Sequence, residues 1–343
     1  MPQQITRTLD QGFPTTNPLS PINNPTASIR ANPTDPAHAY TQQWSVGFED
    51  ELASNLVLAV NYVGNAGTHY DGQVDSYNLN PAEPGTGPVP NRTVYFNTIP
   101  SGVSVSYFDS NGRAHYNGLQ ASLTKRYSDG LSFGVNYTWS HVVGSIPAQY
   151  SIDQTFANTQ IDARNRATAN WLYELPIGRG KRFGGNLNPV LDGFAGGWRL
   201  GAVLQFQSGY PYTVTGGAGN PNRICNGQTP PGGHTVQEWF DTSCFPLPAP
   251  VTDLVHGGQY IPFGTSGFYI LTGDGIREVD MSLTKSFNVG GEGRNLEFRA
   301  EAFNVINNAQ FLPPLSQIGT GTAGRVVGAN PARQIQLGLT YRF

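Results

Sequence analysis

Two cysteines and two histidines lie within one polar stretch of this 343-residue chain. Cys225 and Cys244 are the only cysteines, and His234 and His256 lie between them and shortly after them. Such a set could form a disulfide, remain as two free thiols, or bind a metal through two sulfur and two nitrogen ligands. The spacing matches no familiar zinc pattern, so the sequence does not favour the metal site.

No set of residues predicts catalysis. The chain has no GxSxG, HExxH or CxxC motif, and its six histidines have no nucleophile or carboxylate at a recognisable spacing. The segment GTGTAG (319–324) matches GxGxxG, but RVVGANPARQ follows it, with Gly and Pro where the nucleotide-binding helix should be. We therefore predict a protein that is not an enzyme, with no catalytic residues, no cofactor and no metal.

Charged residues are few, but several fall in one phase of an alternating pattern. They make up 13% of the chain, about half the share of roughly 25% in globular domains, and the net charge of −3 gives no case for nucleic-acid binding. These residues could line a transport path, but we favour cross-strand ion pairs that hold strand register. The candidate lumen charges are Arg164, Arg166, Arg199, Glu297, Arg299 and Glu301.

The elements that must position these residues are strands. Alternation of apolar and polar residues predicts strands with one apolar face and one polar face. Residues 1–39 contain seven prolines and no lasting periodicity, so we predict a Pro/Asn-rich loop or a disordered segment there, and a β domain over 40–343. Nine segments alternate in this way: 40–50, 55–63, 116–127, 131–141, 164–175, 198–207, 279–287, 296–303 and 333–343.

The connections between these segments are alternately short and long. Residues 64–115, 142–162, 208–275 and 304–332 are the long connections. Membrane barrels have short periplasmic turns and long outer loops, whereas soluble sandwiches have no reason to alternate. The start has no apolar signal segment, and the longest strongly apolar run is LVLAV at 56–60, whereas barrel strands cross with about 9–11 residues. The fold class predicted is an all-β, antiparallel transmembrane β-barrel with long outer loops, in contact with lipid of the cell outer membrane.

Aromatic residues in the apolar phase support this prediction. Trp44 and Trp139 fall near the outer ends of their strands, and Trp171 and Trp198 fall near the inner ends. With Tyr127 and Phe287 they form a predicted aromatic girdle; the alternative is a set of core residues in a soluble fold. The cysteines then lie in the longest outer loop, where the oxidising cell surface favours a Cys225–Cys244 disulfide over free thiols or a metal.

Five segments carry a resemblance to a known family: LSFGVNYTWSH, GGWRLGAVLQFQSGYPYTV, LTGDGIREVDMSLTKSF, LEFRAEAFNVINNAQF and NPARQIQLGLTYRF. Over residues 40–343 the chain resembles the C-terminal barrel half of Oar-like TonB-dependent outer-membrane receptors. The resemblance implies a barrel of about 22 strands, a plug, and TonB-dependent uptake of a bulky ligand. It also implies that Leu339, Tyr341 and Phe343 form the C-terminal signal for the barrel-assembly machinery.

The chain departs from that family in having no counterpart to the signal peptide, the N-terminal domain, the TonB box or the plug. A complete barrel of this class has an even number of strands, so nine strands predict a partial barrel. We expect the plug and the remaining barrel strands to come from the same gene or a split gene, and TonB to act only through that part. The alternatives are a surface binding or adhesion protein anchored by its barrel, and an inactive truncated remnant.

Overall fold

Nine long antiparallel strands dominate the structure. It is a computed structural model that describes residues 29–31, 34–70, 76–78, 85–86, 92, 105–108, 110–147, 154–216, 219–254, 258–290 and 294–343. The strands are β1 (Tyr40–Ala53), β2 (Leu56–Tyr70), β3 (Gly112–Ser128), β4 (Leu131–Pro147), β5 (Asn165–Glu174), β6 (Trp198–Gln207), β7 (Ile276–Asn288), β8 (Asn295–Phe303) and β9 (Gln334–Arg342).

Each long strand pairs with the next one in the chain, so the sheet is a meander from β1 to β9. This order confirms the predicted all-β fold and its nine strands. Gln154–Asn158 pairs with the outer end of β4 and adds a tenth strand to the sheet, which the sequence pattern did not predict. Within the described residues the sheet is open, and every residue of β1 and of β9 is exposed.

The first strands extend well past the length that a bilayer requires. β2, β3 and β4 contain 15, 17 and 17 residues, whereas about 9–11 residues cross the hydrocarbon layer. The ladder between β2 and β3 continues to Tyr70 and Gly112, so the loop predicted at 64–115 is shorter than expected. The periodicity weakens in these extensions because neither face of a strand must be apolar once it leaves the lipid.

The short connections all lie at one end of the sheet. Asp129 and Gly130 have φ values of 52° and 79°, which is the backbone of the two-residue turn that matches strand twist. The connection between β5 and β6 contains the helix α1 (Pro189–Ala195). Among the described residues, none of the helices has the length and apolar character of a membrane-spanning helix.

The most deeply buried hydrophobic cluster lies outside the sheet, in the long outer loops. We call the described residues of 208–275 and 304–332 the outer cap. Its short strand pairs are Pro211–Tyr212 with Leu271–Thr272, Thr215–Gly216 with Gln317–Ile318, and Val251–Thr252 with Gln259–Tyr260. The buried residues are Val214, Phe240, Cys244, Phe245 and Leu271, packed by Tyr212, Ile270 and Ile318. Long loops were expected here, but a folded core within them was not.

The N-terminal segment predicted as a loop lies mostly outside the described residues. Within it, Ile29–Ala31 forms a short strand that pairs with Val105–Phe108, and Val105–Phe108 pairs in turn with Ser76–Asn78. The division of the chain into 1–39 and 40–343 therefore stays a prediction.

Candidate functional site at the outer ends of the strands

The outer cap is closed by a disulfide. Cys225 and Cys244 are bonded, with their Cα atoms 5.0 Å apart. Cys244 lies in the buried cluster and is the last residue of a 3₁₀ turn, Thr242–Cys244. Asp241 caps this turn by accepting a hydrogen bond from the Ser243 amide at 3.0 Å. The bond joins the cap core to its exposed edge, which limits how far the edge can move.

His234 packs against another aromatic residue within the outer cap. Its ring stacks on Trp239 with centroids 4.8 Å apart, and its Nδ1 lies 2.5 Å from the Trp239 carbonyl oxygen. His256 lies outside the described residues. Among those that are described, no group of three or more His, Cys, Asp or Glu residues is placed to hold a metal. The residues present therefore give a stapled, packed loop structure.

The two sequence segments that most specifically carried the resemblance contact each other. Asn304 and Asn307, in FNVINNAQF, have φ values of 49° and 53°, a left-handed backbone that asparagine tolerates better than most residues. The Asn307 Oδ1 accepts a hydrogen bond from the Arg333 amide at 3.2 Å, and the Arg333 guanidinium donates to the Val305 carbonyl at 3.2 Å. These motif residues thus fix the return of the chain from the cap into β9.

Asp274 connects the two loops of the cap at the start of β7. Its side chain is 5% exposed and lies 2.7 Å from the Arg277 guanidinium. The other carboxylate oxygen accepts a hydrogen bond from the Phe311 amide at 3.0 Å. Because Phe311 belongs to the second loop, the Asp274 carboxylate links the first loop to the second and also binds Arg277.

A cavity of about 730 Å³ lies beside Asp274, within the range of roughly 300–1,000 Å³ that is typical of small-molecule sites. Its aromatic walls are Tyr137, Phe206, Trp239 and Phe311. The Tyr137 hydroxyl donates to Asn165 Oδ1 at 2.8 Å, which fixes the strand side of the cavity. Sequence analysis did not identify this cavity, since its walls come from four strands and two loops.

The strand register places this cavity on the apolar face of the sheet. Tyr137 lies opposite Ala167, Ala167 opposite Phe206, and Phe206 opposite Arg277. Residues that are directly opposite point to the same face, and this face also carries Trp139 and Leu204. The cavity therefore lies at the outer rim on the side that faces lipid, and not on the face with the candidate lumen charges.

The candidate lumen charges form separate groups. Arg342 lies 3.8 Å from Glu297 across two strands, and Arg299 lies 3.5 Å from Glu301 along one strand. Gln336, the register partner of Glu301, donates a hydrogen bond to its carboxylate. The Arg342–Glu297 and Gln336–Glu301 contacts tie β8 to β9 on the polar face.

The arginines nearer the N-terminus lie in different surroundings. Arg164 precedes β5 and donates to Asp162 Oδ2 at 2.8 Å, and Asp162 also accepts from the Val142 amide at 3.0 Å. Arg166 lies opposite Gln207, and Arg199 lies opposite Glu174. A role of these residues in transport or in register stays a prediction.

The girdle aromatics lie on the apolar face at both ends of the sheet. Trp139 lies opposite Leu119, and Trp171 lies opposite Ala202. At the short-turn end, the Lys285 ammonium lies 5.3 Å from the Trp198 ring centroid and 5.0 Å from the Phe287 ring centroid. Tyr127 is 54% exposed near the same end. Their role as a girdle in the membrane stays a prediction.

The last strand presents its apolar residues outward. Leu339 is 66% exposed, Phe343 is 97% exposed, and the rings of Tyr341 and Phe343 stack with centroids 5.9 Å apart. Leu339 lies opposite Phe298 on β8, which keeps these residues on the apolar face. Recognition by an assembly factor stays a prediction.

Comparison with solved structures gives matches at low identity. The chain is similar to the outer membrane transporter YddB from Escherichia coli (10% identity, TM-score 0.42), covering 94% of this chain and 36% of that one. It is also similar to the FrpB iron transporter from Neisseria meningitidis (14% identity, TM-score 0.42), with 92% and 33% covered. The siderophore receptor PiuA from Acinetobacter baumannii matches with 10% identity, a TM-score of 0.39, and 88% and 28% covered. The chain thus spans about a third of the length of these proteins.

Family comparison extends over almost the whole chain. A search of curated proteins finds no match. The model of a family described as outer membrane beta barrel domain matches residues 2–336. This agrees with the antiparallel meander, its apolar face and its long outer loops. The chain belongs to the outer membrane β-barrel domain family and is a protein of the cell outer membrane.

Proposed function

We propose that this chain is the barrel segment of an Oar-like TonB-dependent transporter that takes up a bulky ligand. The observation that carries the proposal is the difference between the two faces of the sheet. One face carries Trp139, Trp171 and Trp198, and the other carries Glu297 and Arg299. A barrel that encloses a polar path needs this distribution.

Two further features are compatible with transport. The polar face combines both signs of charge, and the pair Arg342–Glu297 ties neighbouring strands together. The outer cap is folded around its own core and stapled by Cys225–Cys244. A folded cap can present a fixed surface to an incoming ligand, because less loop entropy is lost on binding.

The proposal requires parts that these 343 residues do not supply. We propose that the plug, the TonB contact and the remaining strands come from sequence beyond this chain or from a second chain. The barrel-assembly machinery would insert the complete barrel after recognising the C-terminal strand of this chain. Catalysis has no part in this function.

A surface binding or adhesion protein is the second candidate. The folded cap is as compatible with this function as with transport, since a disulfide-closed surface on a barrel anchor could bind a partner directly. In that case the polar face would only fill the barrel interior, and no plug would be required.

Purification from the native outer membrane distinguishes these functions. The chain would be solubilised in mild detergent, and all polypeptides that co-purify with it, or are continuous with it, would be identified by mass spectrometry and by sequencing the adjacent reading frames. Transport predicts a signal peptide, a plug and about thirteen further strands. A heat-modifiable barrel that contains this chain and no plug would overturn transport and support the surface-binding function.

A further inference from the structure

The connection between β5 and β6 includes residues 176–197 and contains the helix α1 (Pro189–Ala195), which we call the rim helix. Asn188 caps its start by accepting a hydrogen bond from the Leu191 amide at 2.8 Å, and Pro189 occupies the first turn. Gly196 ends it, with its amide bonded to the Asp192 carbonyl. The helix is well defined by its caps, although no residue of it is buried.

The apolar face of the rim helix points away from the protein. Val190, Leu191 and Phe194 are 69%, 53% and 71% exposed, and their spacing of i, i+1 and i+4 places them on one side. Asp192 faces inward, where it accepts a hydrogen bond from the Arg179 amide at 2.6 Å. A helix on a water-facing surface has the opposite arrangement, with its apolar stripe turned to the core.

Two contacts hold the rim helix against the lipid-facing side of the sheet. The Trp198 indole donates to the Phe194 carbonyl at 2.9 Å, and the Lys285 ammonium donates to the Gly196 carbonyl. Trp198 and Lys285 lie opposite each other on the apolar face of β6 and β7. The exposed side of the helix therefore continues the surface that meets lipid in this outer-membrane protein.

Basic residues lie within the same connection. Arg179, Lys181 and Arg182 are exposed, and the Arg182 guanidinium lies 5.6 Å from the centroid of the Phe183 ring, which is itself 56% exposed. Glu174 lies 3.6 Å from Lys181 and offsets part of this charge. Cations beside exposed apolar groups suit the boundary between acyl chains and phosphate headgroups.

We propose that residues 176–197 are an in-plane anchor that binds the phospholipid leaflet at the short-turn end of the sheet. The apolar face of the rim helix inserts among the upper acyl chains, and the guanidinium and ammonium groups contact lipid phosphates. The helix has seven residues and a length of about 10 Å, so it lies at the surface and cannot cross. In the barrel orientation, this is the periplasmic leaflet.

A single-site fluorescent label tests this placement. The assembled outer-membrane protein that contains this chain would carry Phe194→Cys with an environment-sensitive dye, in vesicles of phosphatidylethanolamine with a minor share of phosphatidylglycerol. Both native cysteines form the disulfide, so the new thiol reacts alone. Val327→Cys is the matched control, because Val327 is 70% exposed but lies in the outer cap. Heat-modifiable migration would verify that each variant has folded.

The anchor predicts strong quenching at 194 by lipids with a nitroxide near the headgroup, and several-fold weaker quenching by aqueous iodide than at 327. Equal iodide quenching at both positions, or strongest quenching by a nitroxide at the bilayer centre, would overturn it. Leu191→Cys repeats the measurement on the same face if Phe194→Cys does not fold.

The phosphate contacts have their own test. Arg179→Gln with Arg182→Gln should reduce shallow nitroxide quenching of the label at 194 when phosphatidylglycerol is present. In vesicles of phosphatidylethanolamine alone, the same double substitution should reduce this quenching less, because fewer anionic headgroups are available. An unchanged signal in both vesicles would refute the headgroup contacts.

Discussion

The indole ring of Trp44 lies over Gly64, its register partner on the neighbouring strand. A Cβ atom placed on Gly64 would lie 2.1 Å from Trp44 Cε2, far inside van der Waals contact. The glycine therefore leaves the space that lets a large aromatic lie flat on the sheet near the outer rim. This cross-strand relationship was invisible in the sequence, where the two residues are 20 positions apart.

Gly64→Ala should displace the Trp44 ring and lower the free energy of unfolding by about 1–3 kcal/mol, as overpacking does. Urea unfolding in vesicles, followed by tryptophan emission, measures this. Gly338→Ala is the control, since its new Cβ would meet only Arg299 Cβ at 4.0 Å. Equal destabilisation by both variants would contradict the packing explanation.

Asn304→Ala should destabilise the return of the cap into the sheet more than Asn304→Gly. Asn304 has a φ of 49°, and forcing alanine into this backbone costs about 1–2 kcal/mol beyond the lost hydrogen bonds to Asn308. Glycine loses only those bonds. Limited proteolysis of the cap reports the difference, and a larger effect of glycine than of alanine would show that the left-handed backbone is unimportant.

Cys225→Ala with Cys244→Ala should loosen the cap while leaving the sheet assembled. The disulfide joins two residues that are 19 positions apart in the sequence. Closing a loop of that size stabilises the folded state by about 3 kcal/mol. Protease accessibility of the cap in intact outer membranes should rise, with heat-modifiable migration unchanged. Addition of a reductant to the parent chain should produce the same cleavage pattern. Loss of the folded sheet would instead show that the cap is needed for assembly.

Tyr212→Phe should protect the cap from alkaline unfolding. Burial raises the pKa of the Tyr212 phenol, so the unfolded chain loses this proton first, near the usual tyrosine value of about 10. Above that pH the folded state holds more protons than the unfolded state, and stability falls as pH rises. Below it, the phenol contributes no pH dependence.

The phenylalanine variant should therefore lose less stability between neutral and strongly alkaline pH than the parent. At neutral pH it should be at least as stable, because the Tyr212 hydroxyl is buried without a hydrogen-bond partner among the described residues. Protease accessibility across the pH range measures both effects. If the parent and Tyr212→Phe become protease-accessible at the same alkaline pH, ionisation of Tyr212 does not cause the loss of stability.

Deletion of Phe343 should impair insertion into the outer membrane far more than Phe287→Leu. Both are aromatics at the short-turn end, but Phe343 is 97% exposed and belongs, with Leu339 and Tyr341, to the proposed assembly signal. The fraction of chain that becomes heat-modifiable in outer-membrane extracts measures insertion. Equal effects would leave Phe343 with a girdle role only.

Strand positions were predictable because lipid imposes a period of two on every residue that crosses it. Leu119 and Trp139 share a face for that reason, and the structure pairs them directly. Alternation no longer predicted the strands outside the lipid layer, where neither face of a strand must be apolar. Gln154–Asn158 forms a strand outside the predicted nine, and the outer parts of β2 and β4 extend into residues that looked like loop.

The cap and the rim helix could not be predicted in the same way. Phe240 and Leu271 join one buried cluster from separate stretches of a Gly- and Pro-rich loop, without any repeating pattern. Asp274 and Phe311 meet across two loops. Such contacts depend on closure of long loops, and sequence spacing carries no signal for them.

Alternation of apolar and polar residues was enough to predict an outer-membrane barrel, its nine strands and their apolar face, because alternation is a local property that lipid imposes on each strand. The folded structure was needed to see that Gly64 lies under Trp44, that Asp274 holds the outer cap, and that the rim helix turns its apolar side outward. These features arise from contacts between distant residues, whose geometry exists only once the strands are in register.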